Sequence, residues 1–239
     1  MNKNLAMWSG PRNLSTAMMY CFAQRTDCSV VDEPYYAAYL KDTGIQHPFY
    51  EEIIDTGITN ADDVAQQCLQ KPPQGWVYQK HITKHLMPNY ATDWLANVTN
   101  VFLIRHPAQV INSYHVKDEN PEMSDIGIAD QWRIYERACE LGQSPVVIDS
   151  ADILSNPEQM LHKLCEAIGI EFQSTMLHWP KGPKDYDGPW ASHWYHSVWQ
   201  SNGFSKPAGG IPEVEPFLSP LLAEAMPYYE RMQKMALKL

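Results

Sequence analysis

The chain reads as an α/β protein built on a mostly parallel central sheet. Three observations predict this class. Short apolar runs at 5–8, 76–80, 101–104 and 145–148 alternate with segments of helical composition, the pattern of strand–helix–strand units. Two of the runs, 5–8 and 101–104, lead into a short break that carries an arginine just before a helix start. Apolar residues make up 44% of the 239 and charged residues 19%, enough to bury a sizeable core.

The elements follow in order. The run at 5–8 is a strand and 15–24 the helix after it. Residues 29–31 form a short strand. Residues 62–70 have helical composition, closed by Pro72-Pro73-Gln74-Gly75. Residues 76–80 are a strand, and 101–104 a fully buried one. Pro107 suits a helix's first turn, where its missing N–H has no role, and opens a helix to about residue 116. A long helix spans 126–141, a short strand 145–148, and a helix 157–168 that Gly169 stops. From 178 to 220 Trp, Gly and Pro dominate, with one helical piece near 190–199. A terminal helix spans 219–237 with Pro227 inside it. We read 1–239 as a single domain, with a core over about 1–172 and a Trp/Pro-rich, then helical, extension over about 173–239. Helices between parallel strands place ligand sites at the strand C-termini.

Composition limits the function. A net charge of −10 argues against non-specific binding to nucleic acid or an anionic membrane, but a bound anion needs only local cations. No stretch approaches the ~20 apolar residues of a membrane span. Cys21, Cys28, Cys68, Cys139 and Cys165 are scattered, without CxxC spacing, so neither a disulfide framework nor a zinc site is expected. No His/Cys/Asp cluster has metal-ligand spacing. The first apolar run is too short for a signal peptide, and a reduced cytoplasm is the expected location.

Gly10-Pro11-Arg12-Asn13-Leu14-Ser15-Thr16 carries the chemistry. A strand turning into a helix exposes unpaired N–H groups, and these with the helix dipole favour an anion. Arg12 adds a fixed charge with a planar donor fork. The ATP-binding pattern G-x-x-x-x-G-K-[ST] is absent, because Ser15 stands where its second glycine belongs and Thr16 where its lysine does. By itself the segment is equally a tight turn with a surface arginine.

Val101-Phe102-Leu103-Ile104-Arg105-His106-Pro107 adds a second strand ending in a cation, with Ser113 eight residues beyond Arg105. Together the two segments resemble the sulfotransferase family that uses 3′-phosphoadenosine 5′-phosphosulfate (PAPS), closer to its bacterial and carbohydrate-type branch. That family has a Pro-[Lys/Arg]-Ser-Gly-[Thr/Ser]-[Thr/Ser] loop for the 5′-phosphosulfate, and an Arg and a Ser eight residues apart for the 3′-phosphate. Pro11-Arg12-Asn13-Leu14-Ser15-Thr16 matches the first, with Asn13 for Ser and Leu14 for Gly. Residues 146–157 and the helix ending Leu164-Cys165-Glu166-Ala167-Ile168-Gly169 resemble the family's later strand and helix.

The resemblance implies a three-layer α/β fold of the P-loop NTPase-like kind, with a mostly parallel central sheet flanked by helices, plus a helical cap. It implies a sulfuryl transfer to a small hydroxyl or amine acceptor, with PAPS as co-substrate and no metal. Arg12 would stabilise the leaving phosphate, Pro11 to Thr16 would bind the 5′ end, and Arg105 with Ser113 the 3′-phosphate. The acceptor needs a base. Glu33, in Asp32-Glu33-Pro34 after the second strand, resembles the family's general base. His81 is the other candidate, one position out of register with the cytosolic group's Lys-x-His. Lys80 fits a sulfate contact. Lys206, in Asn202-Gly203-Phe204-Ser205-Lys206, loosely resembles a donor-closing loop. His106 and His115 read as helix-start and surface residues. Trp190, Trp194 and Val198, at helical spacing, read as a packed face or as part of an acceptor wall. Two competing readings stand beside this one, a P-loop kinase-like phosphotransferase and a nucleotide-binding domain without turnover.

Overall fold

The computed structural model describes residues 4–72, 75–116, 119–205 and 209–239. Its sheet has five strands, β1 (Asn4–Ser9), β2 (Cys28–Asp32), β3 (Trp76–Ile82), β4 (Thr99–Ile104) and β5 (Val146–Asp149), in the order β2-β3-β1-β4-β5. Every pairing is parallel; Leu5 stands opposite Tyr78 on one side and Thr99 on the other. β1 is central and buried along its whole length, because helices cover both faces.

Side-chain alternation along the strands divides the core in two. Leu5, Met7, Tyr78, Val101 and Leu103 face α1 (Ser15–Ala23) and α9 (Pro157–Ile168), together with α2 (Tyr36–Thr43) and α3 (Tyr50–Thr56). Ala6, Trp8, Phe102, Ile104 and Val147 face α4 (Ala61–Cys68), α5 (Pro107–His115), α7 (Ile128–Glu140) and α12 (Ser219–Met235). The result is the three-layer α/β arrangement expected of the sequence.

Four local outcomes differ from expectation. α2 and α3 fill a stretch in which no element was read: α2 buries Tyr36 through Leu40 all round, so it lacks the polar stripe that marks an amphipathic helix. The helix expected over 126–141 breaks at Gly127, whose φ of 70° separates α6 (Met123–Ile126) from α7. The helical piece near 190–199 is two single turns, α10 (Ala191–Trp194) and α11 (His196–Trp199), joined at Tyr195. The terminal extension divides between two places. Residues 188–205 sit over the C-terminal end of the sheet, whereas α12 packs on α5, α7 and β5. Beyond α12 the Leu237 N–H donates to the Val147 carbonyl at 2.9 Å, docking the chain on the outer edge of β5.

Two glycines let the turn after β1 approach the start of α7 closely. A Cβ on Gly10 would lie 2.4 Å from the Ile126 carbonyl oxygen, and one on Gly127 would lie 3.2 Å from Gly10 Cα. The first turn after β1 therefore abuts the α6–α7 junction backbone to backbone. Thr83 locks the contact by donating to the Gly127 carbonyl at 2.8 Å.

Candidate active site

The loop from Gly10 to Leu14 leads straight from β1 into α1. Arg12 and Leu14 take φ of 62° and 71°, and Asn13 between them is not in that left-handed region. Each non-glycine residue held there costs about 1–2 kcal/mol. Such strain persists where surrounding contacts impose it, and alternating handedness turns successive N–H groups into one anion-holding concavity. Leu14 thus has the backbone that glycine would supply. Asn13 pins the loop by donating to the Leu103 carbonyl at 3.3 Å. α1 starts at Ser15 without a side-chain cap and without an acidic residue in its first turn, so its positive end is uncompensated.

Arg12 and Arg105 meet over this loop. Arg12 Nε donates to Ser113 Oγ at 2.9 Å. Arg105, just past the end of β4, donates from Nη1 to the Arg12 carbonyl at 2.6 Å and from Nε to Gln109 Oε1 at 3.2 Å. Among the described residues neither guanidinium has a carboxylate ion-pair partner. Burial lowers the proton affinity of both, and at Arg105 the charge of Arg12 lowers it further. Two half-buried cations held by a hydroxyl, an amide and a carbonyl form a site suited to an anion.

A second cluster stands at the ends of β2 and β3. Lys80 is buried and spends its three donors on Asp32 Oδ1 at 2.9 Å, Glu33 Oε1 at 2.5 Å and the Tyr195 hydroxyl at 2.5 Å. Tyr195 donates to Asp32 Oδ2 at 2.7 Å and accepts from Trp190 Nε1 at 3.0 Å. Glu33 itself has φ of 45°, with its N–H held by the Lys80 carbonyl at 2.9 Å. Burial raises its pKa; Lys80 lowers it and Asp32 raises it. Lys80 is therefore engaged by two carboxylates, with no donor left for a sulfate in this arrangement.

One cavity of about 370 Å³ joins both clusters. Pro11, Arg12, Asn13, Leu14, Ser15, Thr16, Glu33, Lys80, Arg105 and Ser113 all line it. His81 does not. Alternation along β3 sends it to the opposite face from Lys80, where its ring stacks on Trp8 at 4.3 Å and burial pushes its pKa down to about 3. Two histidines line the cavity, His47 and His85, the latter reached through a 3₁₀ turn. His85 lies between Tyr36 and Tyr39, with Nδ1 3.7 Å from Glu33 Oε2. Lys206 lies outside the described residues. His106 caps α5, accepting from the Ala108 N–H at 3.2 Å, and His115 packs edge-on against Phe217. Trp190 is core, whereas Trp194 and Val198 line the cavity, so that segment is both packed face and wall. Asp32, Tyr195 and His47 belong to the site without having been singled out. Asp32 stood beside a candidate base in the sequence, but no spacing pointed to Tyr195. Among the described residues no group of three His, Cys, Asp or Glu side chains could hold a metal ion.

Comparison with known proteins bears on the family and the fold. The family model described as "Sulfotransferase domain" matches residues 3–236. A crystal structure of a sulfotransferase from Alicyclobacillus acidocaldarius superposes with a TM-score of 0.59 at 14% identity, covering 98% of this chain and 95% of that one. A sulfotransferase domain from the curacin biosynthetic pathway gives 0.56 at 13% identity, covering 95% and 98%. A protein of Arabidopsis thaliana named branched-chain-amino-acid aminotransferase-like protein 1 is 37% identical over 224 residues, 93% of this chain. The chain spans about 40% of the length of the curated relatives it matches.

Proposed function

Because the chain belongs to the sulfotransferase domain family, we propose that it transfers a sulfuryl group from PAPS to a small hydroxyl or amine acceptor by in-line displacement in this cavity. One observation carries the reading: Arg12 and Arg105 line a single cavity with Ser15, Thr16 and Ser113 and lack any carboxylate partner among the described residues. A nucleotide with phosphates at both its 3′ and 5′ positions would bring anions to these cations in two places.

In this reading the N–H groups of the 10–14 loop and the start of α1, with the hydroxyls of Ser15 and Thr16, hold the 5′-phosphate. Arg105 and Ser113 hold the 3′-phosphate. Arg12 stands between them and stabilises the charge that grows on the bridging oxygen as the S–O bond to the phosphate breaks. Glu33 takes the proton of the acceptor as its oxygen or nitrogen bonds to sulfur. Strand ends and a helix start fix both groups, and the transfer requires little beyond such placement and charge stabilisation.

Thermal unfolding with adenosine 3′,5′-bisphosphate (PAP), the product that retains both phosphates, tests the donor site. A ligand at a hundred times its Kd stabilises by about 2.7 kcal/mol, a readily measured rise in Tm. PAP is expected to raise Tm, and ATP to raise it less. No rise at millimolar PAP overturns the reading.

A further inference from the structure

We infer that Asp32 and Tyr195 are positioning residues for the base: Asp32 competes with Glu33 for the single charge of Lys80, and Tyr195, by donating to Asp32, ties that competition to the docking of residues 188–205. The inference rests on the reading of Glu33 as the group that takes the acceptor's proton.

The geometry is a shared ammonium. Lys80 has three protons and three oxygen partners, two of them carboxylates, and its side chain is only 1% exposed. One positive charge therefore serves two negative ones in a place water hardly reaches. Asp32 has the better supply of other donors. It accepts from the Tyr195 hydroxyl at 3.0 and 2.7 Å and from the Gly188 N–H at 3.2 Å. Both donors belong to the segment that covers the cavity, and Trp190 Nε1 holds the Tyr195 hydroxyl from the same segment. Docking of that segment thus satisfies Asp32 and leaves more of the Lys80 charge for Glu33.

Among the described residues, the groups that face Glu33 come from several elements. From β3 comes Lys80, which favours its charged form; from β2 Asp32, which opposes it. Tyr195 lies 3.4 Å away and favours the carboxylate. From the turn after β3 His85 presents Nδ1 at 3.7 Å, held neutral by burial, and Tyr36 of α2 stacks on that imidazole. Removing Asp32's charge and removing Tyr195's hydroxyl should therefore act on Glu33 in opposite directions.

The test is a carboxyl-carbon NMR titration of the whole chain labelled at glutamate, with the Glu33 signal identified by its absence in Glu33→Gln. In Asp32→Asn, whose side-chain oxygen still accepts from Tyr195 and Gly188, the Glu33 titration is expected to move to lower pH. In Tyr195→Phe it is expected to move to higher pH. A role limited to packing loosens the site in both variants, admits water, and moves both titrations downward. A downward shift in both variants, or none in Asp32→Asn, overturns the inference. Should Asp32→Asn not fold, the Tyr195→Phe titration decides alone: upward supports the inference, downward or unchanged overturns it. The PAP stabilisation is read in parallel on the wild type. Its absence removes the proposed function while leaving the titration result to stand or fall by itself.

Discussion

At the residue scale the informative contrast is between arginines that are paired and arginines that are not. Arg25 meets the Asp27 carboxylate at 2.9 Å, whereas Arg105 is held by the Arg12 carbonyl. A hydrogen bond to a charged group contributes about 1.5–3 kcal/mol, so Arg105→Ala should weaken PAP binding about 10–100-fold while leaving adenosine 5′-phosphate binding little changed; calorimetry with both nucleotides measures the difference. Leu14 gives a second residue-scale prediction. Its φ of 71° penalises any Cβ, so Leu14→Gly should unfold at a higher denaturant concentration than Leu14→Ala, by about 1–2 kcal/mol, the reverse of the usual helix-region order. Glu33→Gln should keep the PAP-induced rise in Tm and lower transfer about 10²–10⁴-fold once an acceptor is in hand. Since burial raises the Glu33 pKa, the acid limb of the transfer rate should lie at higher pH than an exposed glutamate would give.

At the element scale β3 shows both what the sequence tells and what it withholds. The strand and its C-terminal basic residues were legible, and so were the two arginine-bearing turns, because each depends on neighbours in sequence. Which of Lys80 and His81 faces the cavity depends on the register with β1, where Met7 pairs with Lys80 and Trp8 with His81. That pairing is long-range, and no local spacing reports it. The same limit hid Tyr195, which arrives from a segment of two single turns, and the break at Gly127, whose cause is the Gly10 backbone on the far side of the contact. Two measurements probe these elements. Gly10→Ala should destabilise by about 1–3 kcal/mol, because its methyl meets a main-chain oxygen that cannot turn aside. His81 has a folded pKa near 3 against an ordinary 6.5, so between those values the unfolded chain binds a proton that the folded chain refuses. Stability contributed by this site is whole above pH 6.5 and falls as the pH drops toward 3, by at most about 1.4 kcal/mol per pH unit. His81→Phe, which keeps a ring on Trp8, should flatten that part of the stability curve, as denaturant titrations from pH 4 to 7 would reveal.

At the scale of the whole molecule, the fold collects positive charge where the sheet ends while the surface stays acidic. The net charge of −10 repels anions at long range, and Arg12 with Arg105 attracts one at short range. Added salt screens both, but the exposed surface more than the half-buried pair. PAP binding should therefore weaken less with ionic strength than that of a protein steering its ligand by surface charge, and titrations at 0.05 and 0.3 M salt test this.

The strand order carries a consequence for how the chain comes into being. β1 is synthesised before both of its partners, β3 on one side and β4 on the other, and Leu5 does not find Thr99 until more than ninety further residues have been made. Through that interval the segment Leu5-Ala6-Met7-Trp8, wholly interior at the end, has no sheet to join. Contacts so distant along the chain make for slow assembly, and an apolar strand left waiting is the natural point of capture by a chaperone or by another nascent copy. The anion loop is thus among the first parts of the site to be translated and among the last to acquire its walls.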